Sequence, residues 1–185
     1  MNTSICNKIK TRKKPKDVFY TPKELAKEHI DYLNIEFNPD AIWLDPSKGK
    51  GVYYDQFPTE NKDWCEITDG KDFFEYDKPV DIICTNPPYS LIDKFIDKSI
   101  ELKANTISFL IGLINITPKR IETFENAGYK MTGLKIFKVY EWFGMSSFVV
   151  FKKNSELKSV MDYSRKLWKT TEKTTKKKKI IFKKK

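Results

Sequence analysis

Along the chain, short unbroken apolar runs alternate with stretches in which apolar residues recur every three or four positions. The unbroken runs are AIWL (41–44), VDIICT (80–85) and TISFLIGLI (106–114). Runs this short predict strands buried on both faces, and a further short strand is expected near 63–65. Helical spacing falls on 21–33, 90–103, 117–128 and 155–168, with a shorter helix at VYYDQF (52–57). TPKE (21–24) reads as a capping box with Pro22 at the first helical position. In the second helix Leu91, Phe95, Ile96, Ile100 and Leu102 lie near one face, and Gly128 stops the third. KMTGLKIFKVY (130–140) and SSFVVFKK (146–153) are β-rich neighbours joined through EWFGM, which predicts an antiparallel pair. The expected architecture is α/β: a mainly parallel sheet with a C-terminal antiparallel strand pair and helices on both faces. In such sheets ligands bind beyond the carboxyl ends of the strands. DPSKGKG (45–51), Glu66 and TNPPYS (85–90) all fall at such ends.

Charge changes this picture at the two ends. The chain has 185 residues and a net charge of +10, of which 1–16 carry +6 and 169–185 carry +8, leaving −4 for the body at 17–168. The body is long enough for one domain with a real core. The tails bury too little to fold and repel themselves. They read either as arms for phosphate backbones or as solubility and localisation tails. Cys6, Cys65 and Cys84 have no metal-ligand spacing, so a zinc site is excluded and an intracellular, reducing compartment is expected, cytoplasmic or nuclear. The single histidine, His29, shares a helical face with Leu25, Ala26 and Leu33 and reads as a core-edge residue rather than a base. No run reaches membrane-spanning length, and no signal peptide is visible.

The candidate chemistry lies in the three loops. Gly49 and Gly51 allow close backbone approach to a ligand, without the ending of a P-loop. Glu66 can accept both hydroxyls of a ribose, or is an exposed turn acid. Asp72 offers an acceptor for an adenine amine and Phe73 an apolar wall. In TNPPYS, Asn86 and Pro87 each precede a proline and are held extended, and neither proline carries an N–H. Acceptors therefore dominate the turn: the Asn86 side-chain oxygen and the Pro87 carbonyl could draw the hydrogens of an adenine amine out of the ring plane, freeing its lone pair for attack. Tyr89 could stack on the base. The structural alternative is a rigid strand-to-helix turn with Ser90 as N-cap. Trp142 and Phe143 could stack on an extruded base or simply pack in the hairpin.

TNPPYS resembles the (D/N/S)PP(Y/F/W) signature of class I S-adenosylmethionine-dependent methyltransferases that act on planar amines. DPSKGKG resembles the DPxxGxG cofactor loop of that family. YTPKELAKEHID resembles the segment before that loop in adenine-specific DNA methyltransferases, in their gamma-type motif order. The resemblance spans about residues 18–152. It implies a Rossmann-like methyltransferase fold, S-adenosylmethionine as cofactor and DNA adenine as substrate. Tyr20, Thr21 and Pro22 would lie near the methionine end of the cofactor. Asp45, Pro46, Gly49 and Gly51 would form the loop around its amino-acid part. Glu66 would take the ribose, and Asp72 and Phe73 the adenine. Asn86, Pro87, Pro88 and Tyr89 would hold the target amine. Lys48 and Lys50 stand where the family has small residues. The large target-reading domain of many such enzymes has no room here, which leaves short loops, the tails or a protein partner. The same signature serves enzymes acting on RNA amines and protein glutamine amides, and an inactive nucleic-acid-binding or structural subunit is a further alternative.

Overall fold

The computed structural model describes residues 20–33, 36, 38–139, 142, 144–154, 156, 159 and 161. Both basic tails, Cys6, Phe143 and nearly all of the helix expected at 155–168 lie outside the described residues. Six strands form one sheet: β1 (Trp43–Asp45), β2 (Lys62–Trp64), β3 (Ile82–Thr85), β4 (Thr106–Gly112), β5 (Tyr129–Phe137) and β6 (Ser146–Lys153). Their order is β2-β1-β3-β4-β6-β5, with β1 to β4 parallel and β6 antiparallel to both β4 and β5. Three helices flank them: α1 (Lys23–Tyr32), α2 (Ile92–Glu101) and α3 (Pro118–Asn126).

Alternate residues of each strand feed opposite faces, because side chains along a strand point up and down in turn. Ile83 enters the larger core with Phe95, Ile96, Phe124 and Phe151, whereas Ile82 and Cys84 enter the core under α1 with Ala26, Ile30 and Leu33. Helices on both faces explain why β3 and β4 are buried along their whole length. The edge strand β2 has only three residues, two of them charged, which blunts pairing with another chain. Cys84, within β3, and Cys65, just after β2, are buried free thiols.

Several local expectations change. α1 starts at Lys23 behind Pro22 with no side-chain cap, so TPKE is not a capping box. The Thr21 hydroxyl is instead taken by the Asn86 amide, 3.2 Å away. VYYDQF contracts to a 3-10 turn at Tyr54–Gln56. β2 ends at Trp64, before Cys65, and β4 ends at Gly112, before a 3-10 turn at Leu113–Asn115. At the start of α2 the 3-10 turn Tyr89–Leu91 intervenes, and the N-cap position is Leu91 rather than Ser90. His29 is not at the core edge but wholly buried, because both ring nitrogens find partners there. Thr117 caps α3 through the Arg120 N–H, and Gly128 ends that segment at φ 85°.

Phe124 stacks on Phe151 at 3.8 Å and packs edge-on to Tyr129, all fully buried. Phe124→Ala is expected to cost about 3–5 kcal/mol through the cavity it leaves. Urea unfolding checks this; a loss below about 1 kcal/mol would remove α3 from the cooperative core.

Candidate functional site

The chain leaves β1, forms β2 on one side, and returns to lay β3 on the other. Between β1 and β3 the connections diverge, which opens a crevice past their carboxyl ends. The DPSKGKG loop follows β1 and TNPPYS follows β3, so topology brings together segments 40 residues apart. A cavity of about 460 Å³ lies there. That volume suits a small molecule.

Its walls come from every segment singled out in the sequence. Tyr20 and Thr21 line it from the segment before α1, Pro46 and Gly49 from the glycine loop, and Glu66 from the end of β2. Asp72 and Phe73 line it from the following turn, and Asn86, Pro87, Pro88 and Tyr89 from the loop after β3. Pro22, Asp45 and Gly51 are not part of the wall. Pro22 faces solvent at the start of α1. Gly51 is buried at φ 83°, and a Cβ there would meet the Asp55 carboxylate at 3.2 Å. Asp45 is fully buried beneath the loop. Among residues the sequence did not single out for the site, Ser47, Tyr53, Ile67, Thr68 and Phe74 also line the cavity. Ser47 and Tyr53 sat inside or beside the quoted loop, but nothing in their spacing marked them.

Glu66 braces the glycine loop. One carboxylate oxygen accepts from Gly49 N–H at 2.8 Å, the other from the Thr68 N–H and hydroxyl at 3.2 and 3.0 Å. Partial burial works to raise its pKa, but these hydrogen bonds and nearby Lys48 hold it below the usual carboxylate range. A carboxylate offers about four lone-pair sites, so a diol at Glu66 must displace part of this brace. Asp72 caps the turn at Phe74 N–H, 2.9 Å away. Phe73 is packed inward against Phe95, and it is Phe74 that is exposed beside the cavity. Lys48 lies over the Trp64 ring at 3.6 Å and Lys50 over the Tyr20 ring at 4.4 Å, which holds both ammonium groups by cation–π contact.

Beneath the cavity one polar chain ties the two loops. The Thr85 hydroxyl lies 2.7 Å from an Asp45 oxygen, the Ser47 hydroxyl 2.7 Å from that of Thr85, and Ser47 donates to the Asn86 carbonyl at 3.0 Å. Three contacts need three protons, and two hydroxyls supply two. Thr85 donates to Asp45, so the single Ser47 proton is shared between Thr85 and the Asn86 carbonyl. Burial pushes Asp45 up to about 7, against hydrogen bonds from Thr85 and from the Ser47 and Tyr54 N–H groups. Asn86 donates its amide nitrogen to Thr21, and its amide oxygen is covered from solvent. Gly112 lets the Tyr89 ring approach β4: a Cβ there would lie 3.7 Å from that ring and 3.3 Å from Asn115. Burial pushes the Cys65 thiol up to about 12 and that of Cys84 well above its ordinary value, which keeps both protonated. Among the described residues no cluster of His, Cys, Asp and Glu could hold a metal ion, and no helix is long and apolar enough to cross a membrane.

The described fold is that of Rossmann-like methyltransferases. The E. cuniculi Mtq2–Trm112 complex, responsible for methylation of the translation termination factor eRF1, contains a chain 20% identical to this one. The match covers 74% of this chain and 99% of that one, with a TM-score of 0.51. Magnesium protoporphyrin IX methyltransferase (ChlM) from Synechocystis PCC 6803, solved with bound SAM, matches at 9% identity over 71% of this chain and 79% of its own, with a TM-score of 0.52. No protein-family model matches the chain, and no curated protein matches it in sequence.

The residues present fit S-adenosylmethionine. The cavity has room, Glu66 is an ionised acceptor on its wall, Ile67 and Phe74 supply apolar surface for a ring, and Gly49, at φ 50°, presents backbone without a side chain.

An acid with a raised folded-state pKa keeps its proton where the unfolded chain has lost it. Burying Asp45 therefore costs nothing below its ordinary value of 3.8, and the cost grows as pH rises to about 7. It reaches the order of 4 kcal/mol there. Asp45→Asn removes this cost, so its stability relative to the native protein should climb between pH 4 and pH 7. Urea midpoints across that range test it, and a difference that does not vary with pH would leave Asp45 an ordinary ionised carboxylate.

Proposed function

We propose that this protein is an S-adenosylmethionine-dependent methyltransferase that methylates the exocyclic amine of adenine in DNA. The observation that carries this reading is the meeting of Asn86, Pro87, Pro88 and Tyr89 with the glycine loop and Glu66 around one cavity. The fold shared with methyltransferases supports the reaction class. The cofactor supplies an electrophilic methyl group. Gly49, Glu66, Ile67 and Phe74 hold it, and Thr21 and Tyr20 close the adjoining wall. The Asn86 amide oxygen and the Pro87 carbonyl accept the two amine hydrogens, which localises the nitrogen lone pair. Tyr89 stacks on the ring. This is positioning and electrostatics, with no need of a histidine base. The covered Asn86 oxygen requires a small shift of the loop when substrate enters, in keeping with catalytic contacts that tighten only in the substrate complex.

A second reading keeps the chemistry and changes the acceptor to a protein amide or an RNA base, with a partner protein supplying recognition. The likeness to the Mtq2 chain favours it, since that enzyme is part of a two-protein complex and 99% of its chain is covered by this one. The basic tails favour nucleic acid: they carry +6 and +8 on a body of −4.

Methyl transfer from labelled S-adenosylmethionine to unmethylated duplex DNA, single-stranded DNA, RNA and a glutamine-containing peptide distinguishes these readings. Methyladenine in DNA is expected, and Asn86→Ala should abolish it while cofactor affinity stays nearly constant. Parallel loss of cofactor binding in that variant would sink the role given to Asn86. Deleting 169–185 should weaken DNA binding and flatten its dependence on salt; an unchanged slope makes that tail a passenger.

A further inference from the structure

The cavity wall is electrically polar from end to end. At one end it carries two acids, Glu66 and Asp72, with Ile67 and Phe74 beside them. Among the described residues the only cations on the wall are Lys48 and Lys50 of the glycine loop. Gly49 touches both ends. Its N–H donates to Glu66 at 2.8 Å, and a Cβ built on it would lie 3.8 Å from the Tyr20 ring. The Lys50 ammonium sits over that ring at 4.4 Å. The order along the wall is therefore Ile67 and Phe74, then Glu66, then Gly49, then Tyr20 with Lys50.

The two lysines are not equivalent. The Lys48 ammonium lies 3.6 Å from the centre of the Trp64 ring, on the edge strand, and that ring also carries Lys71 at 3.7 Å. Its charge belongs to the acidic end, where it helps to keep Glu66 ionised. Lys50 has the longer contact with a single tyrosine face, and it makes no ion pair with any described residue. A ring covers one side of an ammonium and leaves N–H donors on the other side free. Lys50 is exposed, so these donors are open to a ligand at the cavity edge.

S-adenosylmethionine has the complementary polarity. Its ribose hydroxyls and adenine amine donate hydrogen bonds, which suits the end with Glu66 and Asp72. Its only negative charge is the carboxylate at the opposite end, which can only accept. With the adenosine part at Glu66 and Phe74, the amino-acid part runs across Gly49 toward Tyr20. We propose that Lys50 is the residue that binds the cofactor carboxylate, with the Tyr20 ring holding its ammonium at the cavity edge. The ring restricts the long side chain beforehand, so less freedom is lost when the pair forms. Removing the carboxylate from the cofactor reverses the contact, because Lys50 then faces only the cofactor ammonium. The assignment rests on the cofactor reading and not on which amine is methylated.

Calorimetric titration with S-adenosylmethionine and with decarboxylated S-adenosylmethionine, which lacks only the carboxylate, tests this. The native protein should prefer the intact cofactor. Lys50→Met should weaken binding of the intact cofactor about 5- to 20-fold, a modest loss because the pair is exposed to water. It should leave affinity for the decarboxylated form within about twofold, which also shows that the variant is folded. Lys50→Arg keeps the charge and should retain most of the preference, and Lys48→Met should leave the preference as it is in the native protein. Equal weakening of both ligands by Lys50→Met would make Lys50 a wall contact and overturn the proposal. So would an unaltered preference in Lys50→Met, or a preference lost in Lys48→Met instead. If the native protein binds neither ligand, the cofactor reading fails and the proposal with it; if it binds the intact cofactor and Lys50→Met binds it equally well, the proposal fails alone.

Discussion

The hydrogen bonds between the ends of β1 and β3 are the constraint on which the site depends. Asp45, at the end of β1, meets Thr85, at the end of β3, and Ser47 extends the contact to the Asn86 carbonyl. Both strands are held in register within the parallel sheet, Trp43 opposite Ile82 and Leu44 opposite Ile83. The loops that follow would otherwise be free of one another. Burying Asp45 is unfavourable by itself, and the hydroxyls beside it recover part of that cost. What results is a floor of hydrogen-bonded polar groups beneath the cavity.

A second polar chain runs beneath the cavity. It passes from Val149 on β6 through Ser108 on β4 and His29 to Tyr53, on the cavity wall. Asn86 is held at its carbonyl by Ser47 and at its amide by Thr21. The two chains are opposite in electrostatic character. Burial raises Asp45 and favours the neutral acid, and it lowers His29 to about 3 and favours the neutral base. Burial thus works against charge on both groups beneath the site. Charge is kept to the rim, on Glu66 and the lysines that lie over Trp64 and Tyr20.

The lysines of the glycine loop illustrate how a substitution against a motif is accommodated. Long cationic side chains at Lys48 and Lys50 would crowd a ligand if they pointed inward. Each finds an aromatic face instead, and both glycines keep the left-handed backbone that the turn requires. The neighbouring edge strand supplies Trp64 for this purpose and shares it with Lys71.

The sequence alone determined the class of fold, the order of its strands and helices along the chain, and the three loops that meet at the cavity. It could do so because the unbroken apolar runs AIWL and VDIICT are what burial on both faces demands, and because paired prolines end a strand wherever they occur. It could not tell where each side chain in those loops points. Asp45, two residues from Ser47 in the same loop, is buried below the wall while Ser47 lines it, and of the two rings on the wall Phe73 is buried while Phe74 is exposed. Thr21 read as a helix cap, and its hydroxyl serves Asn86 instead. His29 read as a packing residue, because a buried hydrogen-bonded ring and a buried apolar one leave the same periodic trace. Only the tertiary structure decided these matters, since each depends on a partner 22 to 79 residues away in the chain, and local spacing carries no record of such contacts.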